Sequence, residues 1–299
     1  PLFHIFGLNV VLGLTLAAGG SVVLVERFDP ASALEAIVER SCTVVSGAPP
    51  MFAAWASLAG APPDAFAKVR LALTGAAALS PEVATAFEER FGVPLRQGYG
   101  LTEASPVVTS SVFDGPPKPG SVGVPLPGVE VKLIDEEGEE ALAGDSGEIW
   151  VKGPNVFAGY WEDEEATRGA LTEDGWLKTG DIAVVDDDGH LYLVDRAKDL
   201  IIVSGFNVYP AEVEDVLAQH PGVAQVAVVG MAHPHSGETV RAYVVPVEGR
   251  HVEEDQLIDF CSERLARYKC PSKITFVESL PMGLAGKLLR RALRAGSPA

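Results

Sequence analysis

The chain has 299 residues, 47% hydrophobic and 21% charged, which is long enough for two domains with cores of their own. Its 41 acids against 23 bases leave a net charge of −18, which argues against a general nucleic-acid partner. Three widely spaced cysteines, Cys42, Cys261 and Cys270, form no C-x-x-C pair, so zinc and dithiol redox chemistry are poor readings and a reducing, cytoplasmic setting is expected.

Residues 1–25 are strongly apolar, but Gly7, Gly13, Gly19 and Gly20 break the run and His4 and Asn9 interrupt it. No basic region precedes it, so neither a membrane span nor a signal peptide is expected. A buried helix followed by a buried strand at 21–25 is the better reading. The chain opens on Pro1 in mid-pattern and reads as a fragment of something longer.

From residue 20 to 98, β-rich apolar runs alternate with helical patterns. Strands are expected at 21–25, 43–46, 69–74 and 93–96. Helices are expected after Asp29 (N-cap, with Pro30 at the first helical position), over 50–58, and after Ser80 with Pro81. Strands buried on both faces with helices between them imply a parallel α/β sheet. Residues 115–128 carry four glycines and five prolines and mark a change of character. Short alternating strands follow at 129–134, 147–152, 182–185 and 191–194, with Asp188-Gly189 as a hairpin turn, and read as a small antiparallel barrel or sandwich. After Arg196, strands at 200–203, 223–230, 240–247 and 274–277 mix with helices at 210–220 and 256–268 and a helical end, a compact α+β pattern. The expected fold class is thus α/β and α+β. The expected divisions are 1–115 (part of a parallel-sheet α/β region), 116–195 (a β-barrel-like subdomain), 196–199 (a hinge) and 200–299 (a mobile α+β C-terminal domain).

Several clusters interrupt this framework. Gln97-Gly98-Tyr99-Gly100-Leu101-Thr102-Glu103 follows the strand expected at 93–96. Glycine admits close approach of a ligand to backbone, tyrosine offers a flat face to a purine, threonine can bond a phosphate, and glutamate is a hard ligand for magnesium. The same stretch also reads as an ordinary Gly-rich turn. Thr74-Gly75-Ala76-Ala77-Ala78 stands at the carboxyl end of a strand, where open α/β sheets bind ligands, or is merely a tight connection. Gly180-Asp181 presents a carboxylate to ribose hydroxyls, or is an exposed turn acid. Asp195-Arg196-Ala197-Lys198-Asp199 is a charged knot where composition divides the chain, a hinge or a solvated linker. Gly286-Lys287 sets one lysine after glycine, a weak signal for phosphate contact.

Taken in order, the stretches 99–103, 179–181, 195–199 and 286–287 resemble the acyl-adenylate-forming superfamily, most closely its bacterial medium- and long-chain fatty acyl-CoA ligases. Residues 1–7 and 153–161 add to the likeness, which covers essentially the whole chain. The resemblance implies a two-step reaction using ATP, Mg²⁺ and CoA. Adenine would lie between Gly75, Ala76, Ala77 and Tyr99, within a nucleotide-binding set that also includes Gln97, Gly98, Gly100 and Leu101. Thr102 would contact the α-phosphate, Glu103 would hold Mg²⁺, and Asp181 would bind the ribose with Arg196 nearby. Lys287 would bridge acyl carboxylate and phosphate, making Lys287, Thr102 and Glu103 the catalytic set. His4 would sit beside the acyl pocket, Lys198 would be the hinge, and Gly205 would face the CoA channel.

Basic residues concentrate between Arg264 and Arg294, where Glu278 is the only acid, so part of that face is expected to steer anionic ATP or CoA. An alternative is that they complement a C-terminal helix dipole. The family's phosphate loop, ending in Pro-Lys-Gly, is absent, and Pro117-Lys118-Pro119-Gly120 comes too late in the chain to replace it. Weak adenylation by these residues alone is therefore expected. Alternatives to a fatty acid partner with CoA are an acyl-AMP ligase loading a carrier protein, a ligase for aryl or dicarboxylic acids, and a non-catalytic fragment.

Overall fold

A computed structural model describes residues 1–113, 115–135, 137–196, 199–282 and 288–294. The chain forms two compact units, Pro1–Thr179 with Ala183–Leu193, and Gly180–Ile182 with Val194–Ala299.

The first unit begins with a π-helical segment, Phe6–Gly13, running into α1 (Leu14–Ala17). Residues 21–25 form no strand, and Val23, Leu24 and Val25 are exposed. The apolar run pairs with no described strand, and apolar composition alone does not make one. Helix α2 (Pro30–Glu39) starts as its cap predicts, with Asp29 Oδ1 accepting from the Ser32 amide at 2.9 Å. Strand β1 (Val44–Gly47), α3 (Pro49–Ser57), β2 (Leu71–Thr74), α4 (Pro81–Phe91) and β3 (Leu95–Gly100) follow, with Ser80 capping α4. The rings of Phe52, Trp55, Phe66, Phe87 and Phe91 pack edge-on or tilted beneath this sheet, with centroids 4.7–5.6 Å apart.

The sheet is mixed. Strands β1, β2 and β3 run parallel, then β4 (Val107–Ser110) and β5 (Val124–Pro125) extend it antiparallel. A second sheet runs β6 (Glu130–Ile134), β7 (Ser146–Lys152), β8 (Leu177–Val185) and β9 (Leu191–Arg196), with α5 (Glu164–Ala170) between β7 and β8. Among the described residues it is an open four-stranded sheet with no barrel closure. Its core includes Leu133, Ile149, Val151, Leu177 and Leu191, the inward alternation expected of half-buried strands.

The second unit is built on β10 (Ile201–Val203), β11 (Phe206–Val208), β12 (Val223–His233), β13 (Gly237–Pro246) and β14 (Lys273–Phe276), ordered β11-β10-β13-β12 with β14 parallel to β13. Helices α6 (Pro210–Ala218) and α7 (Glu254–Ser262) bury Val213, Leu217, Leu257 and Cys261 in one core. Leu293 of α8 (Arg290–Arg294) joins Ala227, Val229, Tyr243 and Leu280 in another. Helix α7 is shorter than the expected 256–268: it ends at Ser262, and a 3-10 turn at Arg267–Lys269 leads into Cys270-Pro271, where proline disfavours helix in the residue before it.

Candidate nucleotide and metal site

Parallel pairing sets Thr74 of β2 beside Gln97 of β3, so the 75–78 loop leaves the sheet next to Gly98. A Cβ built on Gly75 would stand 3.6 Å from the Gly98 carbonyl oxygen and 3.5 Å from the Phe6 ring. Ala76, with φ +69°, takes a left-handed conformation that L-residues enter at a cost, and it is exposed along with Ala77. Gln97 to Gly100 lie within β3 rather than in a loop after it. Gly100 is required by close approach, because a side chain there would collide with the Pro106 carbonyl. Tyr99 is buried to 8% exposure and belongs to the core of the second sheet.

Leu101 leads into a single 3-10 turn, Thr102–Ala104. Thr102 is exposed and Glu103 half-buried. Three neighbours brace this turn. Asn155 Nδ2 donates to the Ala104 and Val107 carbonyls at 3.1 and 2.9 Å. The Phe157 amide donates to the Glu103 carbonyl at 2.8 Å. Asn9 Nδ2 reaches the Ser105 carbonyl at 3.3 Å. The Glu103 side chain accepts from the Tyr160 hydroxyl at 2.8 Å, and burial, then this contact, pushes the Tyr160 phenol above its ordinary value. No lysine or arginine among the described residues pairs with Glu103. A half-buried carboxylate without a protein cation suits Mg²⁺, which takes one or two carboxylates and completes its shell with phosphates and water.

The structure thus brings Gly75, Ala76, Gln97, Gly98, Gly100, Thr102 and Glu103 onto neighbouring segments of one unit. His4 lies in the same segment as Phe6 and Asn9, with its Nδ1 accepting from the Phe6 amide at 3.3 Å.

In the second unit, Arg196 Nε lies 3.0 Å from Asp181 Oδ1, and Asp181 is only 6% exposed. Asp195 accepts from the amides of Arg196 and Ala211 at 2.7 and 3.0 Å, and burial raises its pKa. Gly205 holds φ +85° in the turn between β10 and β11, and a Cβ there would meet nothing within 4 Å, so the turn by itself accounts for glycine. Lys198 and Lys287 lie outside the described residues.

The steering expectation fails for Arg290, which contacts Glu214 and Asp199 inside the unit. One further cluster, Asp186, Asp188 and His190, has ligand-type spacing, but Lys118 Nζ already stands 2.9 and 2.7 Å from the two carboxylates. Sequence reasoning missed Asn155 and Tyr160 as site residues. They lie in the 153–161 stretch noted for its resemblance, but their contacts cross about fifty residues of chain and leave no local signature.

Comparison with known proteins gives consistent matches. The AMP-binding enzyme family matches residues 1–161, and the AMP-binding enzyme C-terminal domain matches residues 212–287. The chain is 40% identical over 294 residues to a long-chain-fatty-acid–CoA ligase of Bacillus subtilis (strain 168), covering 98% of this chain and 52% of that protein. It is 41% identical to a feruloyl-CoA synthase of Amycolatopsis sp, covering 98% of this chain and 60% of the other. Among solved structures, ATP-bound MatB from Rhodopseudomonas palustris superposes with a TM-score of 0.94 at 37% identity, over 99% of this chain and 58% of that one. The chain therefore spans just over half the length of these proteins.

Proposed function

The chain belongs to the AMP-binding enzyme family, and we propose that it is the larger part of an ATP-dependent fatty acid–CoA ligase. The observation that carries this reading is the assembly of the 75–78 loop, β3 and the Thr102–Ala104 turn in one unit, with a half-buried Glu103 that no cation among the described residues pairs with.

In the first step a fatty carboxylate oxygen attacks the α-phosphorus of ATP, the bond to the β-phosphate oxygen breaks, and pyrophosphate leaves. Gly75, Ala76, Ala77 and Tyr99 would frame adenine, and Asp181 with Arg196 would hold the ribose. Thr102 would bond the α-phosphate, and His4 would flank the acyl chain. Lys287 would place its charge between carboxylate and phosphate, aligning the two and stabilising the charge that gathers there. Mg²⁺ held by Glu103 would neutralise phosphate charge. In the second step the CoA thiol attacks the acyl-AMP carbonyl, and AMP leaves as the thioester forms. Lys287 must vacate the site first, which we assign to rotation of a C-terminal domain, residues 200–299, about Lys198 within the 196–199 hinge. Gly205 would then border the thiol's path.

These 299 residues contain no Pro-Lys-Gly phosphate loop, so by themselves they should support little ATP–pyrophosphate exchange. The three cysteines favour a cytoplasmic setting, and no described helix is long and apolar enough to cross a membrane. The likeness to a feruloyl-CoA synthase supports a second reading, a ligase for aryl acids. An acid panel with the full-length gene product, scoring AMP release with and without CoA, tests both. Fatty acids should give CoA-dependent AMP and thioester. A preference for aryl acids would select the second reading, and AMP release without thioester would overturn CoA as acceptor in favour of a carrier protein.

A further inference from the structure

Glu103 is braced at both its backbone and its carboxylate by one short stretch, residues 157–160. The Phe157 amide holds the Glu103 carbonyl at 2.8 Å, and the Tyr160 hydroxyl donates to Glu103 Oε1 at 2.8 Å. The phenol does not depend on Glu103 for its own position. Its ring packs edge-on against Phe157 at 4.9 Å, and its backbone amide donates to Thr167 Oγ1 at 2.9 Å, with the Thr167 hydroxyl bonded in turn to the Asp163 carbonyl at 2.7 Å. Tyr160 is therefore anchored at the start of α5 and offers a fixed donor to a carboxylate that would otherwise rotate.

A carboxylate with one oxygen engaged by a fixed donor presents the other as a single, oriented ligand. That suits Mg²⁺, which demands near-ideal octahedral geometry, better than Ca²⁺, which accepts two-oxygen chelation. Outer-shell donors of this kind commonly change metal affinity 10- to 100-fold. We propose that Tyr160 is a positioning residue that holds Glu103 as a one-oxygen metal ligand. This rests on the reading of Glu103 as the Mg²⁺ ligand.

The test is Tyr160→Phe in the full-length gene product, a change that keeps the ring contact with Phe157 and removes only the donor. Trp161→Ala, on the neighbouring side chain that is 89% exposed, is the matched control. Binding of Mn²⁺·ATP, read by electron paramagnetic resonance, should weaken on the order of 10-fold in Tyr160→Phe and stay unchanged in the control. The KM for Mg²⁺ in AMP release should rise by a similar factor, while kcat at saturating Mg²⁺ stays within about threefold. Unchanged Mn²⁺·ATP affinity would overturn the proposal, as would a fall in kcat with the metal KM unmoved. A protein that binds Mn²⁺·ATP with this Tyr160 dependence yet activates no acid would overturn the ligase reading and leave the positioning role standing. A wild type that binds no Mn²⁺·ATP would overturn the positioning role.

Discussion

One guanidinium nitrogen of Arg290 donates to both carboxylate oxygens of Glu214, at 2.8 and 2.7 Å, and Asp199 lies 3.8 Å from its neighbour nitrogen. Glu214 also accepts from the Val228 amide at 2.7 Å, so this pair ties α6, β12 and α8 together within the second unit.

Removing Arg290 takes this partner from a largely buried carboxylate, 18% exposed. Arg290→Ala should cost about 3–5 kcal/mol in urea unfolding of the second unit at neutral pH. Burial already raises the Glu214 pKa in the folded state. A carboxylate raised on folding favours the fold at low pH and loses that contribution as pH rises through its folded pKa. Without Arg290 the rise is larger, so the variant's deficit should shrink as pH is lowered towards about 4. A deficit independent of pH would contradict this account.

If Asp181 and Arg196 serve the ribose, Asp181→Asn and Arg196→Ala should each raise the ATP KM of the full-length protein on the order of 10- to 100-fold. Steady-state AMP release at varied ATP measures this. An effect on kcat alone would move both residues out of ground-state nucleotide binding.

Asn155 bonds two carbonyls with one amide nitrogen. Asn155→Asp turns that donor into an acceptor facing both, and should cost about 1–3 kcal/mol and weaken Mn²⁺·ATP binding. Thermal unfolding and metal binding, measured together, check it. Loss of stability with full nucleotide affinity would show that the brace does not reach Glu103.

Lys118 holds the Asp186 carboxyl well below the usual carboxylate range. A carboxylate depressed on folding stabilises above its unfolded pKa and loses that contribution as pH falls towards the folded one. Lys118→Met should therefore lower the melting temperature at pH 7, and its difference from wild type should narrow below about pH 4. Melting curves across that range decide it, and a constant difference would assign the effect to lost packing.

Much of the local structure is written in adjacent residues. Asp29-Pro30 and Ser80-Pro81 start helices because cap and first-turn proline act within four residues, and Asp188-Gly189 turns the hairpin between β8 and β9 for the same reason. The ordered motifs around Tyr99, Asp181 and Lys287 likewise point to the AMP-binding enzyme family, which the family match bears out. Residues 21–25 show the limit. They have strand composition, but a strand exists only when it is paired, and in the described structure they pair with none. Whether the short strands 130–196 close into a barrel was likewise undetermined by alternation, which reports faces and not closure. The tertiary structure alone decided that β3 runs on through Gly100, that Tyr160 and Asn155 reach the Thr102–Ala104 turn, and that Arg290 points inward to Glu214 instead of out to an anionic ligand. The Gly100 pairing is with β4, 7 to 12 residues on, and the other two depend on segments 48 to 76 residues apart meeting within hydrogen-bond distance, a fact of packing that local sequence does not carry.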